Sequence, residues 1–121
     1  MRILFVHQSF PGQYRHIVRR LAAQGTHQLV AMGLQNPTET IPTNVTFIRY
    51  GLSRGNTPGL HDWLIDIDSK FIRGEACARA SFELRQQGFY PELICVHPGW
   101  GEGLFLKDIW PNARMLCYQE F

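Results

Sequence analysis

At 121 residues, 45% hydrophobic and 18% charged, the chain can bury one domain's core and is too apolar for a disordered tail. Gly 11 and Pro 7 are too few for a fibrous or low-complexity protein. A net charge of +2 concentrates no basic field, so nucleic acid is not an expected partner.

Ile3 to Val6 is a continuous β-prone run, the pattern of a strand buried on both faces of a parallel sheet. After a turn through Pro11 and Gly12, Tyr14, Ile17, Val18, Leu21 and Ala22 form one apolar helical stripe with Arg15, Arg19 and Arg20 toward water. Gly25 stands where a helix C-terminal glycine is expected. Gln28 to Met32 reads as a second strand, which completes a βαβ unit. A polar loop, Gly33 to Asn44, leads to a third strand over Val45 to Tyr50, and Gly51 to Gly59 is again a loop. The period of Leu60, Leu64, Ile67, Phe71, Ala78 and Phe82 predicts a long helix from about Leu60 to Gln87, with a bend or break at Gly74. A fourth strand over Leu93 to Val96, a short helix over Gly103 to Lys107 and a fifth strand over Met115 to Tyr118 complete the chain. The expected fold is a single α/β domain, a doubly wound, mainly parallel Rossmann-like sheet of order 3-2-1-4-5.

Three cysteines, Cys77, Cys95 and Cys117, form no CxxC pair, so no zinc site is expected and all three read as reduced core residues. That suits a cytoplasmic protein. The apolar run at the N-terminus is too short for a signal peptide, and no stretch approaches the roughly 18 apolar residues of a membrane span.

In doubly wound sheets, ligands gather beyond the carboxyl ends of the strands at the switch in strand order, here between strands one and four. Two loops fall there. The first, His7-Gln8-Ser9-Phe10-Pro11-Gly12-Gln13, opens a helix whose N-terminus favours an anion, and Gly12 would let a ligand approach the backbone. It lacks the three-glycine dinucleotide fingerprint, and Ala31-Met32-Gly33 puts no carboxylate at the end of the second strand, so no nicotinamide cofactor is expected. The second, His97-Pro98-Gly99-Trp100-Gly101-Glu102-Gly103, lacks the Walker spacing. Its glycines permit tight turns that would aim the Trp100 indole and the Glu102 carboxylate into a cleft, a pairing suited to a sugar. His97 is a candidate base, since an imidazole titrates near neutral pH. His16, His27 and His61 read as surface residues.

These two loops, within Met1 to His16 and Pro91 to Glu102, resemble the N-terminal domain of family 4 glycosyltransferases, in the branch with a His-Pro-Gly-Trp-Gly-Glu motif. The resemblance implies one half of a GT-B fold, with residues 1–121 as the acceptor-side domain of a longer protein and the donor-binding C-terminal domain absent from this chain. It implies retaining transfer of a sugar from a nucleotide-sugar donor to a hydroxyl of a glycan, lipid or small molecule, without a metal or other cofactor. Carried over by position, Gly12 approaches the donor diphosphate, while His7, Phe10, Pro11, Gln13, Gly99, Trp100 and Glu102 border substrate. His97 corresponds to the second histidine of a His-x-His pair whose first member is here Cys95. Glu120, in Tyr118-Gln119-Glu120-Phe121, stands where the family has a histidine reaching the donor sugar. His97 and Glu120 are thus the expected catalytic pair, and the isolated domain is expected to be inactive. Arg15, Arg19 and Arg20 could bring the enzyme to the inner face of a membrane, although a solvated helix face is the simpler reading. The rival is a standalone flavodoxin-like module that binds a phosphorylated small molecule or nucleotide without catalysis.

Overall fold

The apolar runs pair into one sheet because each is too short and too apolar to stand alone. The computed structural model describes residues 1–120; Phe121, the end of the stretch containing Glu120, lies outside them. Strands β1 (Arg2–Val6), β2 (Gln28–Gly33), β3 (Val45–Arg49), β4 (Leu93–Val96) and β5 (Arg114–Cys117) form a five-stranded parallel sheet of order β3-β2-β1-β4-β5. This is an α/β, Rossmann-like arrangement, as expected, with the switch in strand order between β1 and β4.

Alternation along β1 divides the core into two layers. Ile3 and Phe5 join Tyr14, Val18 and Ala22 beneath α1 (Arg15–Gln24), while Leu4 and Val6 join Ala76, Cys77 and Leu84 beneath α2 (Asp62–Gln86). Helix α1 ends on Gly25 in the left-handed conformation, and a 3-10 turn, Gly12–Tyr14, precedes it. Of its expected stripe, Ile17 is exposed instead, because the wall beneath α1 is filled by Tyr14, Val18 and Ala22.

Three expectations are corrected. Helix α2 passes unbroken through Gly74, which instead admits the Gly101 carbonyl: a Cβ there would lie 2.7 Å from that oxygen. Its predicted apolar stripe faces outward, for Leu64, Ile67, Phe71 and Phe82 are each about half exposed and Ile72, Gly74, Ala76, Cys77, Ser81 and Leu84 face the sheet. The short helix α3 starts at Leu106, later than expected, and runs to Ile109, since the Gly101–Phe105 stretch is turn. Cys77 and Cys95 are buried and free; Cys117 is half-buried. Among the described residues no helix is long and apolar enough to cross a membrane.

Candidate functional site

Parallel strands deliver their carboxyl ends to one edge, so the residues after β1 and β4 become neighbours although 90 positions separate His7 from His97. The His7 amide donates to the Met32 carbonyl at 3.1 Å and the His97 amide to the Val6 carbonyl at 3.0 Å, which fixes both residues to the sheet. Their rings lie 5.3 Å apart, both about 5% exposed. Trp100 stacks on the His97 ring at 4.1 Å and 20° and meets His7 edge-on at 5.4 Å. A 3-10 turn, Pro98–Trp100, brings the indole back over the histidine.

A chain of hydrogen bonds joins the two loops to the segment after β5. The Ser9 amide donates to His7 Nδ1 at 3.0 Å, so Nδ1 carries a lone pair and the neutral ring keeps its proton on Nε2. That proton is donated to Gln13 Oε1 at 2.7 Å. Gln13 Nε2 in turn donates to Glu120 Oε1, and His97 Nε2 donates to Glu120 Oε2 at 3.2 Å. Burial holds His7 below the ordinary imidazole range, in keeping with its neutral tautomer. The hydrogen bonds from His97 and Gln13 hold Glu120 below the usual carboxylate range, so it is ionised at neutral pH. Its side chain is about half exposed, which leaves the carboxylate open to a ligand.

The site residues expected from the sequence divide into those that come together and those that do not. His7, Gln13, His97, Trp100 and Glu120 form the cluster. Gly12, at φ +49°, sits on His7: a Cβ there would fall 2.3 Å from Nε2, so the freedom of this glycine accommodates the imidazole. Gly99 lies against His97 in a similar way, with a 3.0 Å approach. Phe10 is fully buried beside Phe47, and Pro11, joined to it by a cis peptide bond, is buried too; both shape the loop from beneath.

The orientation expected of Glu102 is corrected. Its carboxylate is 1% exposed and accepts a hydrogen bond from the Tyr50 hydroxyl at 2.8 Å, inside the layer beneath α2. Burial raises its pKa above the ordinary value. It therefore holds the second loop down, while the partly exposed indole lies on the His97 ring. Tyr50, which sequence reasoning missed, follows β3 and could have been found only as a large polar aromatic ending an apolar run. Tyr14, of the apolar stripe expected for α1, also meets the His7 ring edge-on at 6.3 Å. Two of the three arginines of α1 are occupied: Glu39 bridges Arg15 at 2.8 Å and Arg19 at 2.9 Å. No group of three or more metal-ligating side chains occurs among the described residues.

A parallel sheet whose switch point carries two imidazoles, a stacked indole and an ionised carboxylate defines a Rossmann-like domain with a polar site beyond its strand ends. Residues 25–121 match the profile of the glycosyl transferase family 4 group, and the chain belongs to that family. The match begins after the His7–Gln13 loop and includes the whole His97–Gly103 loop. No curated protein matches the chain.

Proposed function

We propose that residues 1–121 form the acceptor-side half of a retaining GT-B glycosyltransferase, which moves a sugar from a nucleotide-sugar donor to an acceptor hydroxyl without a metal or other cofactor. The observation that carries this reading is the convergence of His97 and Glu120 at the switch point of a family 4 chain. Glu120, held ionised and half exposed, accepts from a sugar hydroxyl, and His97 orients it through Nε2. Trp100 gives a ring face on which sugar C–H groups stack. His7, Gln13 and Gly12 fix the facing wall, and Phe10, Pro11 and Gly99 shape the two loops. Glu102 acts from beneath.

The donor's nucleotide and diphosphate are assigned to a second Rossmann-like half supplied by polypeptide beyond Phe121, a partner in the same protein. The enzyme works in the cytoplasm, with membrane contact confined to peripheral association. Reading the native gene past the Phe121 codon tests the architecture: a stop codon there would overturn it. Sugar transfer by the two-domain protein tests the site. His97→Ala and Glu120→Gln should each lower turnover by about 10²–10⁴-fold, the usual worth of a positioned acid or base, with the fold retained. Unchanged turnover in both would remove them from the reaction. The 121-residue chain alone should transfer no sugar.

A further inference from the structure

The large apolar side chains that α2 turns outward, Leu64, Ile67, Phe71 and Phe82, lie 48%, 51%, 49% and 47% exposed. An exposed apolar run of this kind marks a ligand groove or a docking surface. Three hollows connect it with the site. The first, about 350 Å³, is bounded by His97, Glu120, Tyr118, Pro98 and Lys70. The second, about 440 Å³, shares Lys70 and Pro98 with the first and adds Ile67, Phe71, Leu104 and Met115. The third, about 1000 Å³, shares Phe71 with the second and continues along Ala78, Phe82, Phe105 and Ile109.

Polarity changes in order along this line: a carboxylate and imidazole at the head, one ammonium at the neck, and below it an apolar floor with a charged rim. Charge decides what fits. On the rim of the third hollow, Arg54 pairs with Asp68 and Arg79 with Glu75, and Glu83 adds a third carboxylate, so the rim offers no attraction to an anionic bilayer or an acidic protein. Lys70 is different. Its partner Asp66 is 75% exposed, and such an i,i+4 surface pair is weak enough to yield to an anionic ligand.

We propose that the acceptor is a lipid phosphate: a hydroxyl-bearing head at His97 and Glu120, a phosphate at Lys70, and one hydrocarbon chain laid along α2 over Phe71 and Phe82. This rests on the transferase reading for the head alone; the groove stands on its own geometry.

The experiment is a calorimetric titration of the chain with n-alkyl phosphates from butyl to decyl, each below its micellar concentration, against inorganic phosphate and the matching alkanols. Affinity should rise about two- to fourfold per methylene, the gain of burying CH₂ against apolar side chains, until the groove is filled. Lys70→Gln should weaken the phosphates about tenfold and leave the alkanols unchanged. Phe71→Ser with Phe82→Ser, both at exposed positions, should flatten the chain-length dependence while inorganic phosphate binds as before.

A flat series in the native chain overturns the proposal. So does concentration-dependent dimerisation abolished by Phe71→Ser, which would make the face a contact between copies. Binding to phosphatidylcholine vesicles without any response to monomeric alkyl phosphates would make it a membrane-docking face and overturn it too. The readout is binding, so it separates from activity. A rising series without sugar transfer by the two-domain protein refutes the transferase reading and keeps the groove; transfer by that protein with a flat series does the reverse.

Discussion

Glu102 shows how a residue in a motif can work from inside the fold. Unfolded, its carboxyl titrates near 4.5; folded, burial raises that value. Between the two the native state holds the extra proton, so this group's contribution to stability is largest at low pH and declines as pH rises through the folded value. His7 acts in the opposite sense. Its folded value lies below 6.5, so the unfolded state binds more protons there and stability rises with pH up to about 6.5. The Glu102→Gln variant separates the two contributions. The stability of the native chain minus that of the variant, from urea melts between pH 4.5 and 8, should fall as pH rises above 4.5 and level off above the folded value. A pH-independent difference would mean that Glu102 is not desolvated. The partner residue gives a magnitude: Tyr50→Phe leaves Glu102 Oε2 without its 2.8 Å donor and should cost about 1–3 kcal/mol in the same melts. The motif made Glu102 conspicuous in the sequence, but its direction was not legible. The hydroxyl that decides it comes from Tyr50, 52 positions earlier, across a parallel sheet.

At the scale of elements, strand positions and helix types were readable while helix faces were not. Every strand announced itself as a short apolar run between turn residues, and the parallel order followed from the alternation with helices. Helix α2 carries apolar residues on two faces, and period alone favoured the one with the larger side chains. Packing chose the other. Small residues, Gly74, Ala76, Cys77 and Ser81, let the helix lie close to the sheet and to the Gly101 carbonyl, and Phe71 and Phe82 have no room there. Adjacent substitutions test this. Ile72→Ala removes a 4% exposed side chain and should cost about 2–5 kcal/mol, whereas Phe71→Ala should cost about 1 kcal/mol or less. Equal losses would contradict the assignment of faces.

The same close approach sets the position of the second loop. Gly101 has φ +105°, and a Cβ would fall 2.1 Å from the Lys70 carbonyl oxygen, a backbone atom that cannot swing away. Gly25 has φ +69° and open space around it. Gly25→Ala should therefore cost only the left-handed strain, about 1–2 kcal/mol. Gly101→Ala adds displacement of the loop from α2 and should cost clearly more, read by thermal melts of the two variants side by side. It should also disturb the Trp100–His97 stack, visible as a change in near-ultraviolet circular dichroism that Gly25→Ala lacks.

Over the whole molecule, stability should be graded outward from the switch point. β1 pairs with β2 on one side and β4 on the other, and its residues Leu4, Phe5 and Val6 are fully buried between the α1 and α2 layers. β5 pairs only with β4 among the described residues, and Leu116 is 58% exposed. Sheet regions with few buried contacts open locally at lower free energy than the core. The loops that hold His7 and His97 hang from the central strands, while Glu120 hangs from the edge strand. The site is thus built from one firm half and one loosely held half, joined through Gln13 and His97 to Glu120. Native-state hydrogen exchange should find the amides of Phe5, Val6 and Val96 exchanging only with global unfolding, and those of Met115 to Tyr118 exchanging through smaller openings. Glu120→Gln weakens the tie without touching the sheet, so it should speed exchange at Tyr118 and leave Val6 unchanged. Uniform protection from β1 to β5, or equal acceleration at both positions, would show that the carboxylate is held by the sheet as a whole and not by the two loops.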